Sequence, residues 1–381
     1  MNLKYIKILL IIVSFAFTYK KFRDFINSII FHSYIKNKIK NFEKGKKFIN
    51  LCLEGSLIQK EIFSKLKKPL ISIIIPVFNC QKSINASIIS IQNQNFSEIE
   101  IILINDASND STPNIINNFQ KEDSRIKIIN NNKNMGTLYS RCIGALLSRG
   151  EYITTLDNDD MFFSGDIFSS IYKIGKDDNL DIIEFNSVFI ENYSYDIFQM
   201  EENFKYSFNY TLNQPRLGMN TFLNNGKYND INIWGKFIKK EIYKNSVNLL
   251  GKRRYTYFIC WAEDTMIVFI IFNIANTFKF INKYGVIHLV SNSTASFTQS
   301  EYNILFAEII LLDVIFEFSK NTYNKNFVVK FALMIQKKHK INKFKNHKIV
   351  YILKIIVRKL IKCKYISKLS KKKLQLFLNF S

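Results

Sequence analysis

Residues 136–160 read GTLYSRCIGALLSRGEYITTLDNDD. A helical pattern over 136–150 closes at Gly150, where a helix C-terminus favours glycine. The β-branched run YITTL (152–156) follows, and its carboxyl end carries three acids, Asp157, Asp159 and Asp160. Neighbouring carboxylates repel one another and resist burial unless a cation sits among them. The strand therefore needs a sheet, and its tip needs a cation.

Working back toward the N-terminus, the same alternation repeats. ISIII (71–75) is a continuous apolar run stopped by Pro76, the pattern of a strand buried on both faces. IEIILI (99–104) and RIKII (125–129) are further strands. Between them, SINASIISIQ (83–92) places Ile84, Ile88 and Ile91 at helical spacing, and STPNIINNF (111–119) opens with a capping hydroxyl and a proline in its first turn. Strand and helix alternating through four strands predict an α/β fold, a mostly parallel central sheet flanked by helices. Ligands in such sheets bind beyond the carboxyl ends of the strands. The loops there are PVFNC (76–80), NDASNDST (105–112), NNNKNMG (130–136) and DNDD (157–160).

The first of these loops narrows the ligand. PVFNCQ has no glycine with which backbone could approach a dinucleotide pyrophosphate, and no GxxxxGK[ST] occurs anywhere in the chain. A phosphate group would then be held by side chains and a metal. Clustered aspartates suit a hard divalent ion, Mn2+ or Mg2+.

PVFN, NDASNDST, the 136–160 stretch and AEDT (262–265), in that order, resemble the family 2 glycosyltransferases of GT-A fold. The likeness covers residues 70–165 and, less closely, 230–275. It implies a metal-dependent, inverting transfer of a sugar from a nucleotide diphosphate, a UDP-sugar first, to a hydroxyl of a glycan, lipid or protein. Pro76, Phe78 and Asp106 match positions that hold the nucleotide base, and Arg141 matches an arginine beside the nucleotide. Asp157 and Asp159 form a D-x-D, with Asp159 the foremost metal ligand, Asp157 near ribose or metal, Asp160 in support and His288 a further candidate. Asp264 matches the catalytic base and Glu263 stands beside it. Trp234 and Lys236 resemble an acceptor-side W-x-K. Two positions depart from the family: Asn105–Asp106 replaces a pair of acids, and Cys142 replaces an asparagine.

Plainer readings exist for several of these residues. Glu263 and Asp264 are also what the first turn of a helix favours, His288 suits a partly buried site, and Trp234 suits a core. Other functions are a non-catalytic nucleotide-sugar binder of the same fold and an aspartate-dependent phosphatase. The phosphatase normally carries its D-x-D after the first strand, whereas here it follows the fourth.

Charge is distributed unevenly along the 381 residues. Residues 321–381 hold 17 Lys/Arg and no acid, and residues 1–68 hold 15 against 4, so 69–320 carry about −5 of a total of +23. Basic ends on an acidic body suit an anionic membrane surface better than a nucleic acid, which would be met by a basic groove on the body. The apolar stretch 5–19 is short for a span but suits a signal-anchor. Lys20, Lys21 and Arg23 after it favour a cytosolic body, while Asn-x-Ser/Thr triplets such as those at Asn85, Asn192 and Asn292 leave the side of the membrane open. Five scattered cysteines without a CxxC indicate neither a zinc site nor a disulfide framework. The expected organisation is an anchor over 1–22, a basic helical stalk over 23–68, and a GT-A domain over 69–300. Its nucleotide-binding half is 69–170 and its acceptor half 171–300. A basic helical tail over 301–381 completes the chain.

Overall fold

A computed structural model describes residues 68–191, 210–213, 232–259, 262–290 and 301–318, together with Lys47 and residues 357–358. The expected anchor, nearly all of the stalk and most of the tail lie outside the described residues. The chain divides into the units Met1–Leu51 and Cys52–Ser381, and every described residue except Lys47 belongs to the second.

Strands β1 (Ile71–Val77), β2 (Ile99–Asn105), β3 (Ile126–Asn130) and β4 (Tyr152–Thr155) form the parallel half of a nine-stranded sheet, in spatial order β3-β2-β1-β4. Every residue of β1, β2 and β4 is buried, which is why these segments are so rich in isoleucine. Helices α1 (Ile84–Gln92), α2 (Thr112–Glu122) and α3 (Thr137–Leu147) make the crossovers. Successive residues of β1 face opposite layers: Ile73 and Ile75 pack with Ile88 of α1 and Ile116 of α2, while Ile74 packs with Leu138 and Ala145 of α3.

The second half adds β5 (Met161–Phe162), α4 (Ile167–Asp177), β6 (Ile182–Glu191), β7 (Tyr210–Asn213), β8 (Lys236–Lys239), α5 (Lys240–Leu250), α6 (Lys252–Tyr255), α7 (Glu263–Ile274), β9 (Thr277–Val290) and α8 (Glu301–Phe318). From β4 the sheet continues β8-β6-β9-β5, with β7 also on β9. β8 runs antiparallel to both neighbours, whereas β6 and β9 are parallel with register shifts around Asn186. This continuation carries the W-x-K segment and His288 toward the tip of β4.

Helix α8 belongs to the folded body, although its residues open the stretch expected to be a basic tail. Leu305, Leu312 and Ile315 lie in the same core cluster as Phe269 and Phe272 of α7. Its Asp313 accepts a hydrogen bond from Arg254 at 2.8 Å, and Glu317 pairs with the same guanidinium. The helix is apolar and acidic; the basic run begins only beyond it. Among the described residues no helix is long and apolar enough to cross a membrane.

Candidate active site

The loops at the carboxyl ends of the parallel strands are tied together by side chains that satisfy backbone groups. The backbone N–H of Asn79 donates to Ser108 Oγ and that of Asn109 donates to Asn79 Oδ1. Asp110 accepts from the N–H groups of Gln81 and Thr112, and so braces both loops. Asn79 and Ala107 adopt positive φ at the bends. This lattice carries Phe78, which is 42% exposed.

Asp106 is buried, and both of its oxygens are engaged. Oδ1 accepts from Asn131 Nδ2 and Met135 N–H at 2.8 Å each, and Oδ2 accepts from Gly136 N–H at 2.7 Å. The carboxylate thus shapes the loop entering α3. Its neighbour Asn105 donates to Asn130 Oδ1 and accepts from Ser108 N–H, contacts an acid in its place would not reproduce in full. Cys142 is 1% exposed in the core beneath α3, so the departure there is absorbed by packing.

At the tip of β4, residues 157–160 form a turn in which Asp160 N–H donates to the Asp157 carbonyl at 3.1 Å. Asn158 pins the turn by donating to the Pro76 carbonyl at 3.0 Å and accepting from Ser87 Oγ through its own carbonyl at 2.9 Å. The first and fourth residues of such a turn are brought close. Asp157 and Asp160 accordingly gather with His288, with one ligand atom from each lying within 4.8 Å of the others. Asp159, the foremost ligand by sequence, is not one of this trio. Burial and the charges of Asp160 and Asp157 push its carboxyl up to about 7. His288 Nδ1 lies 2.9 Å from Asp160 Oδ2. Burial works against its charge, but Asp160, with Asp157 and Asp159 behind it, raises His288 to about 9. Two carboxylates and an imidazole converging amid a third acid fit a divalent cation, and an O,O,N donor set is compatible with Mn2+ or Mg2+.

Arg141, nearly buried on α3, links this cluster to the acids of α7. Nη2 donates to Asp157 Oδ1 at 2.6 Å, and Nη1 reaches Asp264 and, at 3.5 Å, Glu263. Burial disfavours its charge, but Asp264, Asp157 and Glu263 outweigh that and raise it further. Ala262, in the left-handed region, turns the chain into α7 so that both acids fall in its first turn. Burial raises Asp264 above the ordinary carboxylate range against the pull of Arg141, and burial with the charge of Asp264 takes Glu263 to about 7. Asp264 Oδ2 also accepts from Ile233 N–H at 3.2 Å.

Lys236 is wholly buried. Its Nζ donates to the Asn232 carbonyl at 2.7 Å and stands 3.6 Å from Glu184, so the ammonium is spent inside the fold rather than offered to an acceptor. Trp234 is also buried and stacks on His288. Three contributors escaped the sequence reading: Asn131, Asn158 and Glu184. Asn131 and Asn158 sit among compositionally common asparagines, and Glu184 became meaningful only once β6 paired with β8.

The sheet order, a mostly parallel sheet flanked by helices with the acidic turn at the tip of β4, fits the GT-A fold. The model of the family described as "Glycosyl transferase family 2" matches residues 72–229. The chain is 40% identical over 106 residues to the GalNAc(5)-diNAcBac-PP-undecaprenol beta-1,3-glucosyltransferase of Campylobacter jejuni, a match covering 28% of this chain and 34% of that protein. It is 27% identical to glycosyltransferase GlyG of Streptococcus pneumoniae, over 66% of this chain and 79% of that one. Relatives matched at 44% and 40% identity are covered over only 38% and 34% of their length. In fold, the chain is similar to S. aureus TarS residues 1–349, solved in complex with UDP-GlcNAc. The TM-score is 0.58 at 14% identity, covering 81% of this chain and 87% of that one.

Proposed function

We propose that the chain transfers a sugar from a UDP-sugar to an acceptor hydroxyl, with inversion at the anomeric carbon and with a divalent metal. The observation that carries this reading is the convergence on one guanidinium. Arg141 joins Asp157, at the cation cluster, to Asp264, on the facing helix. A donor group and an acceptor group would each need one of these flanks.

In this reading Phe78 offers its exposed ring to the base, and Asp106 holds the loop against which the nucleotide lies. Asp157, Asp160 and His288 would hold the metal, with Asp159 adjacent. When bound, the metal supplies Lewis-acid stabilisation of the leaving diphosphate. Asp264 takes the acceptor hydroxyl proton; a carboxyl whose proton affinity burial raises suits that task. Arg141 balances negative charge between the two flanks. A single displacement assisted by one base inverts the centre. The UDP preference draws support from the UDP-GlcNAc complex of the similar TarS fold. A lipid-linked glycan acceptor draws support from the name of the C. jejuni relative. The apolar stretch 5–19 and the basic ends support placement at a membrane surface.

The test is release of nucleotide from UDP- and GDP-sugars by the full-length chain with Mn2+, with and without chelator, followed by the anomeric configuration of the product. Release only with a UDP-sugar, lost on chelation and giving an inverted product, is expected. Release indifferent to chelator would remove the metal from the reading.

A further inference from the structure

The segment 232–236 touches both flanks of the site. Ile233 N–H donates to Asp264, while the indole of Trp234 lies flat on the imidazole of His288, with ring centroids 5.1 Å apart and planes at 11°. The segment is itself firmly held. Lys236 Nζ ties back to the Asn232 carbonyl and to Glu184, and the Gly235 carbonyl accepts from Phe185 N–H at 3.2 Å. Gly235 has φ +73, which a side chain would oppose. Trp234 is 5% exposed, which leaves its indole little surface on which to stack a sugar.

A stacked neighbour fixes the plane of an imidazole but not which edge points forward, since a half-turn about Cβ–Cγ preserves the plane. At His288 the edge is fixed separately, by Asp160 at 2.9 Å from Nδ1. Plane from Trp234 and edge from Asp160 together give the ring one orientation, with a nitrogen in register with the Asp157 and Asp160 oxygens. We propose that Trp234 is a positioning residue for the cation site, holding the His288 imidazole in line with Asp157 and Asp160, and not an acceptor platform. This rests on the reading of those three residues as metal ligands. Groups that orient a ligand from behind commonly change metal affinity by about 10- to 100-fold when removed.

The experiment measures Mn2+ binding to the full-length chain without donor or acceptor, by the electron paramagnetic resonance signal of free Mn2+. Trp234→Leu should bind Mn2+ about 10- to 100-fold more weakly, and Trp234→Phe, which keeps a flat ring, should recover most of the loss. Of the two tryptophans in the chain, Trp234 can be made the only one by Trp261→Phe. Paramagnetic Mn2+ should then quench its fluorescence with the same saturation curve. That measurement keeps the native indole and stays decisive should Trp234→Leu fold poorly. Equal Mn2+ affinity in Trp234→Leu and the parent, or saturable binding without quenching, would overturn the proposal. A parent chain that binds no Mn2+ would overturn the metal reading and the proposal with it, and is distinguished because the failure precedes any substitution.

Discussion

Arg141 and Asp264, 123 positions apart, form an ion pair that fastens α3 to the first turn of α7, and the same guanidinium holds Asp157. One buried cation thus stands between two carboxylates from opposite halves of the domain. Removing one member of a buried charge group leaves the others uncompensated, at a cost of about 3–5 kcal/mol. Arg141→Met should therefore lower unfolding free energy by about 3 kcal/mol in urea titrations. Arg141→Lys should fall between, because one ammonium cannot fork to both acids. Equal stability of Arg141→Met and the parent would show that the three groups are not coupled.

In the proposed transfer, the role of Asp264 separates from that of the donor site. Asp264→Asn keeps the shape and an acceptor for Ile233 N–H but cannot take a proton. Transfer should fall about 10²- to 10⁴-fold while UDP binding, measured by calorimetry, changes little. A variant retaining full turnover would assign the base elsewhere.

The parallel half of the fold was legible because its signal is local. Ile71 to Ile75 and Ile99 to Ile104 are buried on both faces, and such strands announce themselves as unbroken apolar runs. The antiparallel continuation was not legible. β6 contains Glu184, Asn186 and Ser187 within its apolar residues, and its neighbours β8 and β9 lie far along the chain. The same division applies to the site. Asp157, Asp264 and Arg141 stand in recognisable local patterns. The preference for Asp160 over Asp159 depends on a turn hydrogen bond, and the partnership of Lys236 with Glu184 depends on strand order, neither of which is written in spacing.

Acid should loosen the parallel half through Glu100. This carboxylate, in the sheet beneath α3, accepts from Ser72 Oγ at 2.7 Å, Arg149 N–H at 2.6 Å and Lys127 Nζ at 2.6 Å. Burial opposes its charge, but Lys127, Ser72 and Arg149 prevail and hold it below its ordinary 4.5. A depressed folded-state value means that the stabilisation is complete above the unfolded value and is lost as pH falls through the folded one. Glu100→Gln should cost about 2 kcal/mol at pH 7, the scale of hydrogen bonds to a charged group. The gap from the parent should close as pH drops below about 4.5. A gap independent of pH would mean that the charge contributes nothing.

Gly150, which closes the helix-to-strand junction, is required by closeness rather than by backbone angle. A Cβ there would lie 2.6 Å from Ser72 N and 2.7 Å from Ile71 C, both backbone atoms of β1. Neither can swing aside as a side-chain end could. Gly150→Ala should destabilise the domain by about 1–3 kcal/mol or more, the range for overpacking, read as a lower urea midpoint at unchanged slope. Preserved stability would mean that β1 can shift at little cost.

The turn 157–160 makes a prediction that separates adjacent acids. Asp160 lies with Asp157 and His288, whereas Asp159 is outside the trio and is raised by its neighbours. Were both acids merely part of a negative surface, Asp159→Asn and Asp160→Asn would weaken Mn2+ binding alike. The geometry expects otherwise. Asp160→Asn removes a ligand oxygen and the anchor of the His288 ring together, so Mn2+ affinity should fall by at least about 100-fold, beyond the effect of losing an orienting group alone. Asp159→Asn removes only nearby charge and should cost less. It should also relieve the repulsion within the turn and raise the thermal midpoint measured without metal. A larger loss of Mn2+ affinity from Asp159→Asn than from Asp160→Asn would return the ligand role to the D-x-D proper and dissolve the trio as a cation site.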